Sequence, residues 1–400
     1  MTTTQSQKVS DLIKQLSAIE KLSESALFEN DKLRSDAAHI VRKLSVELEK
    51  PEDAIALNTQ VAAVKVGVDL ELFHHLGDGP GAKTVDELAV RTGADAELLI
   101  RILRLLVAIN WVDQVDENLF KPTRITNTLK DSKPMQASVK HMYLALPIYA
   151  KLPEYLKKTN YKSPTDVQDG PFQYAYNVKE PAFDYWAKDP VATDTFNTFM
   201  TGVRAGRKNW VQWFPIQEHL ISGSTGNDED TLIVDVGGGR GHDLNTFIKT
   251  FPGAKGRFVL EDLPVVIDDV NDRNPQIEAV KHNFFDKQPI HDARVYFMHH
   301  VLHDWPDDDV VKILTNVAKA MKPGYSRLLL GENVLVDVDC HLYATLIDWG
   351  MMVLHCGMTR TVGRWRMLCE RAGLKLVKFW PPPGDGDGIL EAVLAGDEVM

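Results

Sequence analysis

The 400-residue sequence contains three cysteines, Cys340, Cys356 and Cys369, and no C-x-x-C pair. So few, in odd number, cannot build a disulfide framework and point to a reducing compartment. No uninterrupted apolar run approaches the roughly 18 residues of a membrane span. The opening segment MTTTQSQKVSDLIKQ lacks the basic and apolar regions of a secretory leader. A cytoplasmic protein without a membrane partner is therefore expected. Excess positive charge is also missing: 45 Lys+Arg against 56 Asp+Glu give a formal net charge of -11, which repels polyanions and makes nucleic acid an unexpected partner. Low complexity is absent too, since 44% hydrophobic and 25% charged residues are ordinary for a globular chain, and the length suggests two or three domains.

What is present falls into three stretches, 1–135, 136–220 and 221–400. Val9, Leu12, Ile13, Leu16, Ile19 and Leu22 recur at helical spacing, and a second amphipathic run extends from Leu33 to Leu48. A further helix is expected from Ala54 to Leu76. Thr84 with Glu87 forms a capping-box start, Ala94 to Ile109 is apolar on one face, and Trp111 to Thr123 alternates like a hairpin turning at Asp116 and Asn118. Helix, helix, hairpin is the winged-helix order. Its second helix is too apolar to face phosphate, so a structural or dimerising role is expected, and with it a homodimer. Residues 135–220 read as helical and aromatic, suiting a core and the wall of a pocket for a flat ligand; SGSTGNDED, 222–230, reads as a loop.

From residue 231 the pattern alternates. TLIVDVG, GRFVLEDL, ARVYFMHHVL and SRLLLGENVLV read as strands, with helices at 242–250, 265–272, 308–321, through Trp349 and at 362–372, before LKLVKFW and GILEAVLA close the chain. This predicts an α/β fold with a mainly parallel, Rossmann-like sheet whose ligands bind at the carboxyl ends of the strands.

Three motifs carry chemistry. Gly237, Gly239 and Gly241 fit G-x-G-x-G after a strand, whereas the dinucleotide fingerprint needs glycine where His242 stands, and no Gly-Lys-Ser/Thr follows for a P-loop. Glu261 and Asp262 end the next strand, where a carboxylate can accept ribose hydroxyls, so the pair favours a nucleoside. His303 and Asp304 follow a third strand, and a histidine there can take a proton from a substrate hydroxyl near neutral pH. His299, His300 and His303 lie on a strand and loop with no H-E-x-x-H and no cysteine nearby, so no metal is expected.

In order, VDVGGGRGH, FVLEDLP, YFMHHVLHDWPDDDVVKIL, LLLGENVL and AGLKLVKFW resemble the class I S-adenosylmethionine-dependent O-methyltransferases, in the fungal branch related to plant caffeic-acid-type enzymes. The match spans about residue 215 to the end, and 54–125 agrees in element order. The resemblance implies S-adenosyl-L-methionine as cofactor. Gly237, Gly238 and Gly239 would lie against its methionine part, Asp262 would hold its ribose, and Asn283 and Phe284 would lie beside the adenine; Asp235, Leu263 and His299 belong to the same site. It implies His303 as general base, with Asp304 beside it and Glu332 orienting it. Phe196, Met200, Trp349 and Met352 would line a pocket for an aromatic or polyketide-like acceptor whose hydroxyl attacks the sulfonium methyl. The family's G-x-E-R-T reads Gly357-Met358-Thr359-Arg360-Thr361 here, so Thr359 replaces the second orienting carboxylate. Two alternatives follow: an enzyme that keeps the cofactor but catalyses dehydration or a pericyclic step without methyl transfer, and a non-catalytic winged-helix regulator.

Overall fold

The computed structural model describes residues 5–20, 29–49, 60–202, 207–270 and 274–397. Among them no helix is long and apolar enough to cross a membrane. The amphipathic runs at the start form helices Gln5–Glu20 and Asp31–Leu48; Leu22 and residues 54–59 of the expected helices lie outside the described residues. Asn30 starts the second helix by accepting the Leu33 N–H at 3.1 Å. The segment expected from 54 to 76 contains two helices, Gln60–Asp69 and Leu72–Gly77, broken by Glu71 in a left-handed conformation.

A small sheet follows, formed by β1 (Lys83–Thr84), β2 (Val112–Asp116) and β3 (Leu119–Pro122) in the order β1-β3-β2. The expected capping box is present: Glu87 N–H donates to Thr84 Oγ1 at 3.2 Å, and Thr84 N–H donates to Glu87 Oε2 at 2.7 Å. Helices Val85–Thr92 and Ala96–Ala108 precede the β2–β3 hairpin. Most of the apolar face of the second helix (Leu99, Ile102, Leu103, Leu106) is consumed locally, buried against Val64, Leu72, Phe73 and Phe120. That helix is structural by packing, and less of it is left for a partner than its composition suggests.

Helices Lys133–Leu144, Leu146–Lys158, Pro171–Tyr176, Ala182–Trp186 and Pro190–Gly202 carry the aromatic-rich stretch. Ile148, Leu152, Tyr155, Phe172 and Trp186 pack on Val353 and Leu354 of a later helix, Leu342–His355, and so seat this stretch on the second half of the chain.

That half is a seven-stranded sheet of β4 (Thr231–Val236), β5 (Arg257–Asp262), β6 (Ile277–Lys281), β7 (Val295–His299), β8 (Arg327–Glu332), β9 (Leu374–Trp380) and β10 (Gly388–Leu394). The order is β6-β5-β4-β7-β8-β10-β9. The first five strands are parallel, and β10 runs antiparallel to β8 and β9, so the sheet is mixed at one edge. Strand β6 was not expected from the sequence: of its five residues only Ile277 is buried, and it pairs with β5 alone at the opposite edge. Of the helix expected at 265–272, the described part is a short helix, Pro264–Asp268, and residues 271 and 272 lie outside the described residues. Helices Asp307–Ala320 and Val362–Arg371 bury Ile313, Leu314, Val317, Trp365 and Leu368 on one sheet face, and Trp210, Phe214 and Phe247 cover the other. Strand order reverses between β4 and its neighbours β5 and β7, which opens a crevice at their carboxyl ends.

Candidate active site

β4 runs into the glycine turn. At Gly238 an added Cβ would lie 2.4 Å from an Asp235 carboxylate oxygen and 2.6 Å from Leu260, so the backbone must be bare there. Gly239, with φ of 59°, has nothing within 4 Å of the corresponding point, so its backbone borders open space. Asp262, the last residue of β5, holds this turn: its carboxylate accepts the N–H of Gly239 at 2.8 Å and of Leu263 at 2.7 Å. Burial raises the Asp262 pKa and the two N–H groups act against it. The Glu261 backbone carbonyl accepts the turn's Gly237 N–H at 2.8 Å and Gly238 N–H at 3.2 Å, but its carboxylate does not reach the turn. Fully buried, it accepts from Gln288 Nε2 at 2.9 Å, and desolvation pushes its pKa up to about 7. Phe284 comes within 3.6 Å of the Cβ position at Gly237 and meets Phe285 and Trp305. Asn283 spends its side-chain oxygen on the Phe285 N–H at 3.1 Å, which leaves its amide N–H groups as donors. Open backbone, a strand-end carboxylate and an aromatic ring fit a nucleoside joined to a small charged chain.

His299 is committed elsewhere. Its ring nitrogens lie 3.1 Å from Asp243 Oδ2 and 3.4 Å from Asp387 Oδ2, and His300 Nε2 lies 2.8 Å from Asp387 Oδ1. Although burial opposes ionisation, His300 and His299 hold the Asp387 carboxyl well below the usual range. His299, His300 and Asp387 converge within 4.8 Å, and His303 is not in that group.

His303 lies in the one-turn helix Leu302–Asp304 after β7, and Glu332 ends the adjacent β8. Parallel register therefore brings them together. Glu332 Oε1 accepts the Leu302 N–H at 3.1 Å, and Oε2 lies 2.9 Å from His303 Nδ1; His303 Nε2 lies 3.7 Å from Asp304 Oδ1. Burial works against the imidazolium, but Glu332 and then Asp304 outweigh it and raise the His303 pKa to about 9. Burial also raises Asp304, to about 6, whereas Glu332 is lowered because His303 overcomes its own desolvation.

The turn is fastened from behind. Met358 N–H donates to the His303 carbonyl at 2.8 Å, and Arg360 donates to the carbonyls of Leu302 (3.0 Å), Met358 (2.9 Å) and Trp305 (2.6 Å) and to Asp307 Oδ1 (2.8 Å). A Cβ at Gly357 would sit 2.1 Å from the His303 carbonyl oxygen. Thr359 donates its N–H to Asp348 Oδ1 at 2.8 Å, while its buried hydroxyl has no hydrogen-bond partner among the described residues and does not bond the imidazole. Of the expected pocket residues, Phe196 stacks on Trp186 and meets His141, and Met352 packs into the same cluster; Met200 is half-buried and Trp349 is 46% exposed. The sequence reading missed Asp387, Arg360, His141 and His355. The GMTR tetrapeptide held a signal for Arg360; the others required tertiary contacts. A surface depression of 220 Å³ lined by Val68, Glu71, Phe73 and Gln136 carries none of these groups.

An O-methyltransferase domain matches residues 163–375. The chain is 38% identical over 344 residues, 86% of its length and 87% of the relative's, to O-methyltransferase asqD of Emericella nidulans. It is 36% identical to O-methyltransferase penC of Penicillium thymicola, covering 90% and 91% of the two chains. The solved complex of LepI with SAM superposes with a TM-score of 0.85 at 29% identity, over 97% of this chain and 98% of that one. This chain belongs to the S-adenosylmethionine-dependent O-methyltransferases, in the fungal secondary-metabolite branch. S-adenosylmethionine is its cofactor.

Because the His303 pKa in the fold, about 9, lies above the ordinary 6.5, the stabilisation from its pairing is complete below pH 6.5 and is lost as pH rises through about 9. Glu332→Gln is expected to lower the imidazole pKa, followed by NMR titration of the ring protons, and to destabilise the fold most at the acid end of that window. A histidine titrating near 9 in both proteins contradicts the pairing.

Proposed function

We propose that the acceptor is a phenolic or polyketide-like hydroxyl and that His303 is its general base. The observation that carries this is the Glu332-paired imidazole beside the glycine turn. A phenol of pKa near 10 lies ~3.5 units above an ordinary imidazole but only ~1 unit above one at about 9, so Glu332 brings proton transfer close to balance. The cofactor supplies an electrophilic methyl on its sulfonium. Around it, Asp262 and the Gly237–Gly239 backbone would bind the nucleoside and its chain, with Asp235, Leu263, Asn283 and Phe284 shaping that cradle and His299 fixing the sheet edge through Asp243. Asp304 would stabilise the protonated base. Thr359 would act through position, its N–H holding Asp348 while Arg360 grips the catalytic turn. Much of the rate would come from alignment of the acceptor oxygen.

The division into 1–135, 136–220 and 221–400 fits this reading as dimerising, pocket-forming and catalytic parts of a cytoplasmic homodimer. Helix Asp31–Leu48 is tied to the second half through Arg34–Asp385 at 2.8 Å and Lys43–Asp339 at 2.6 Å, while Leu33, Ile40, Val41 and Leu48 stay exposed on one side. That apolar row supports a second copy as its cover. Light scattering at micromolar concentration should report twice the 44.9 kDa chain mass, and a stable monomer would contradict the dimer.

His303→Ala should lower turnover by roughly 10²–10⁴ with cofactor affinity little changed. Incubation with methyl-labelled cofactor and phenolic acceptors should place label in the product; conversion of an acceptor without label would favour methyl-free catalysis instead.

A further inference from the structure

Two histidines take no part in the chemistry above. His141, on helix Lys133–Leu144, and His355, the last residue of helix Leu342–His355, are 5% and 8% exposed, and neither imidazole hydrogen-bonds any of the described residues. Both stand among rings. His141 stacks on Phe199 at 5.0 Å and meets the edge of Trp186 at 5.1 Å; His355 stacks on Phe183 at 4.5 Å and meets Trp186 at 5.9 Å. Phenylalanine would pack equally well in such places without setting polar nitrogens among apolar rings, so two such imidazoles in one aromatic cluster need a reason. Their position supplies it. Helix Leu342–His355 packs on the turn that carries His303, and His303 is near enough to oppose a charge on His355. Burial holds His355 down at about 3 and His141 at about 4, so each is neutral and offers one donor and one acceptor.

We propose that His355 and His141 are specificity-determining residues that recognise a second polar group, a hydroxyl or carbonyl, on a planar acceptor whose reacting hydroxyl lies at His303. Phe183, Trp186 and Phe196 would supply the apolar faces for the ring. The proposal rests on the acceptor reading given above, but its test is a binding measurement that does not require methyl transfer.

Calorimetry with S-adenosylhomocysteine present would compare 1,3-dihydroxynaphthalene with 1-naphthol, which has one hydroxyl fewer. The native protein should bind the diol about 10-fold more tightly, the worth of one good hydrogen bond. His355→Phe, which keeps the stack on Phe183, should bring the ratio close to one while leaving 1-naphthol binding unchanged, and His355→Asn should recover part of the preference. His141→Phe tests the second imidazole in the same way. Absence of a preference in the native protein, a preference that survives in both Phe variants, or equal weakening of the two probes overturns the proposal. A native protein that discriminates between the probes yet never transfers label from methyl-labelled cofactor supports the pocket assignment and contradicts the methyl-transfer reading.

Discussion

The proximity of Glu332 to His303, 2.9 Å apart and both nearly closed to water, is the constraint from which the rest of the second half follows. Taking two charges out of water is expensive, and the attraction between them offsets that cost only when geometry is held and the remaining polar atoms are bonded. The surroundings hold the geometry and bond the second Glu332 oxygen, leaving His303 Nε2 without a hydrogen bond among the described residues. Glu332 ends a strand and cannot wander, its other oxygen accepts the Leu302 N–H, and three bonds from Arg360 to Leu302, Trp305 and Asp307 with one from Met358 lock the turn. Gly357 is required because any side chain would strike the His303 carbonyl. The segment 357–360 thus serves the base by fixing its backbone rather than by a second carboxylate on its ring.

Topology places the remaining chemistry beside this pair. β4 and β7 are neighbours, so the glycine turn and the histidine turn emerge side by side at the carboxyl edge, with Asp262 one strand further on. Asp387, from the β9–β10 connection, reaches back under the same edge to His299 and His300, and Asp385 in that connection binds Arg34. The loop therefore links an N-terminal helix to the floor of the site, and the aromatic stretch packs down through Val353 and Leu354.

Local features were legible in the sequence and distant ones were not. The glycine turn, the Thr84 capping box and the strand before His303 each declare themselves within a few residues, through backbone freedom, capping chemistry or an apolar run. β6 escaped notice because an edge strand with one buried residue has neither a run nor a clean alternation. Glu261 and Asp262 looked equivalent as strand-end carboxylates, and only the pleat, which sends neighbours to opposite faces, separates the buried one from the one at the turn. Thr359 read as a lost carboxylate, whereas the residue after it, Arg360, carries the contacts. His141 and His355 stand 214 positions apart and acquire meaning only when helix packing brings both against Trp186.

The central claim is that Glu332 sets the strength of the base that deprotonates the acceptor. Single-turnover methyl transfer measured from pH 6 to 10 in the native protein and in Glu332→Gln tests it most directly. The account predicts a rate that climbs with pH toward a limb near 9 in the native protein, and in the variant a limb displaced to lower pH with a reduced plateau. Superimposable profiles, or a variant that loses rate with no movement of the limb, would contradict it.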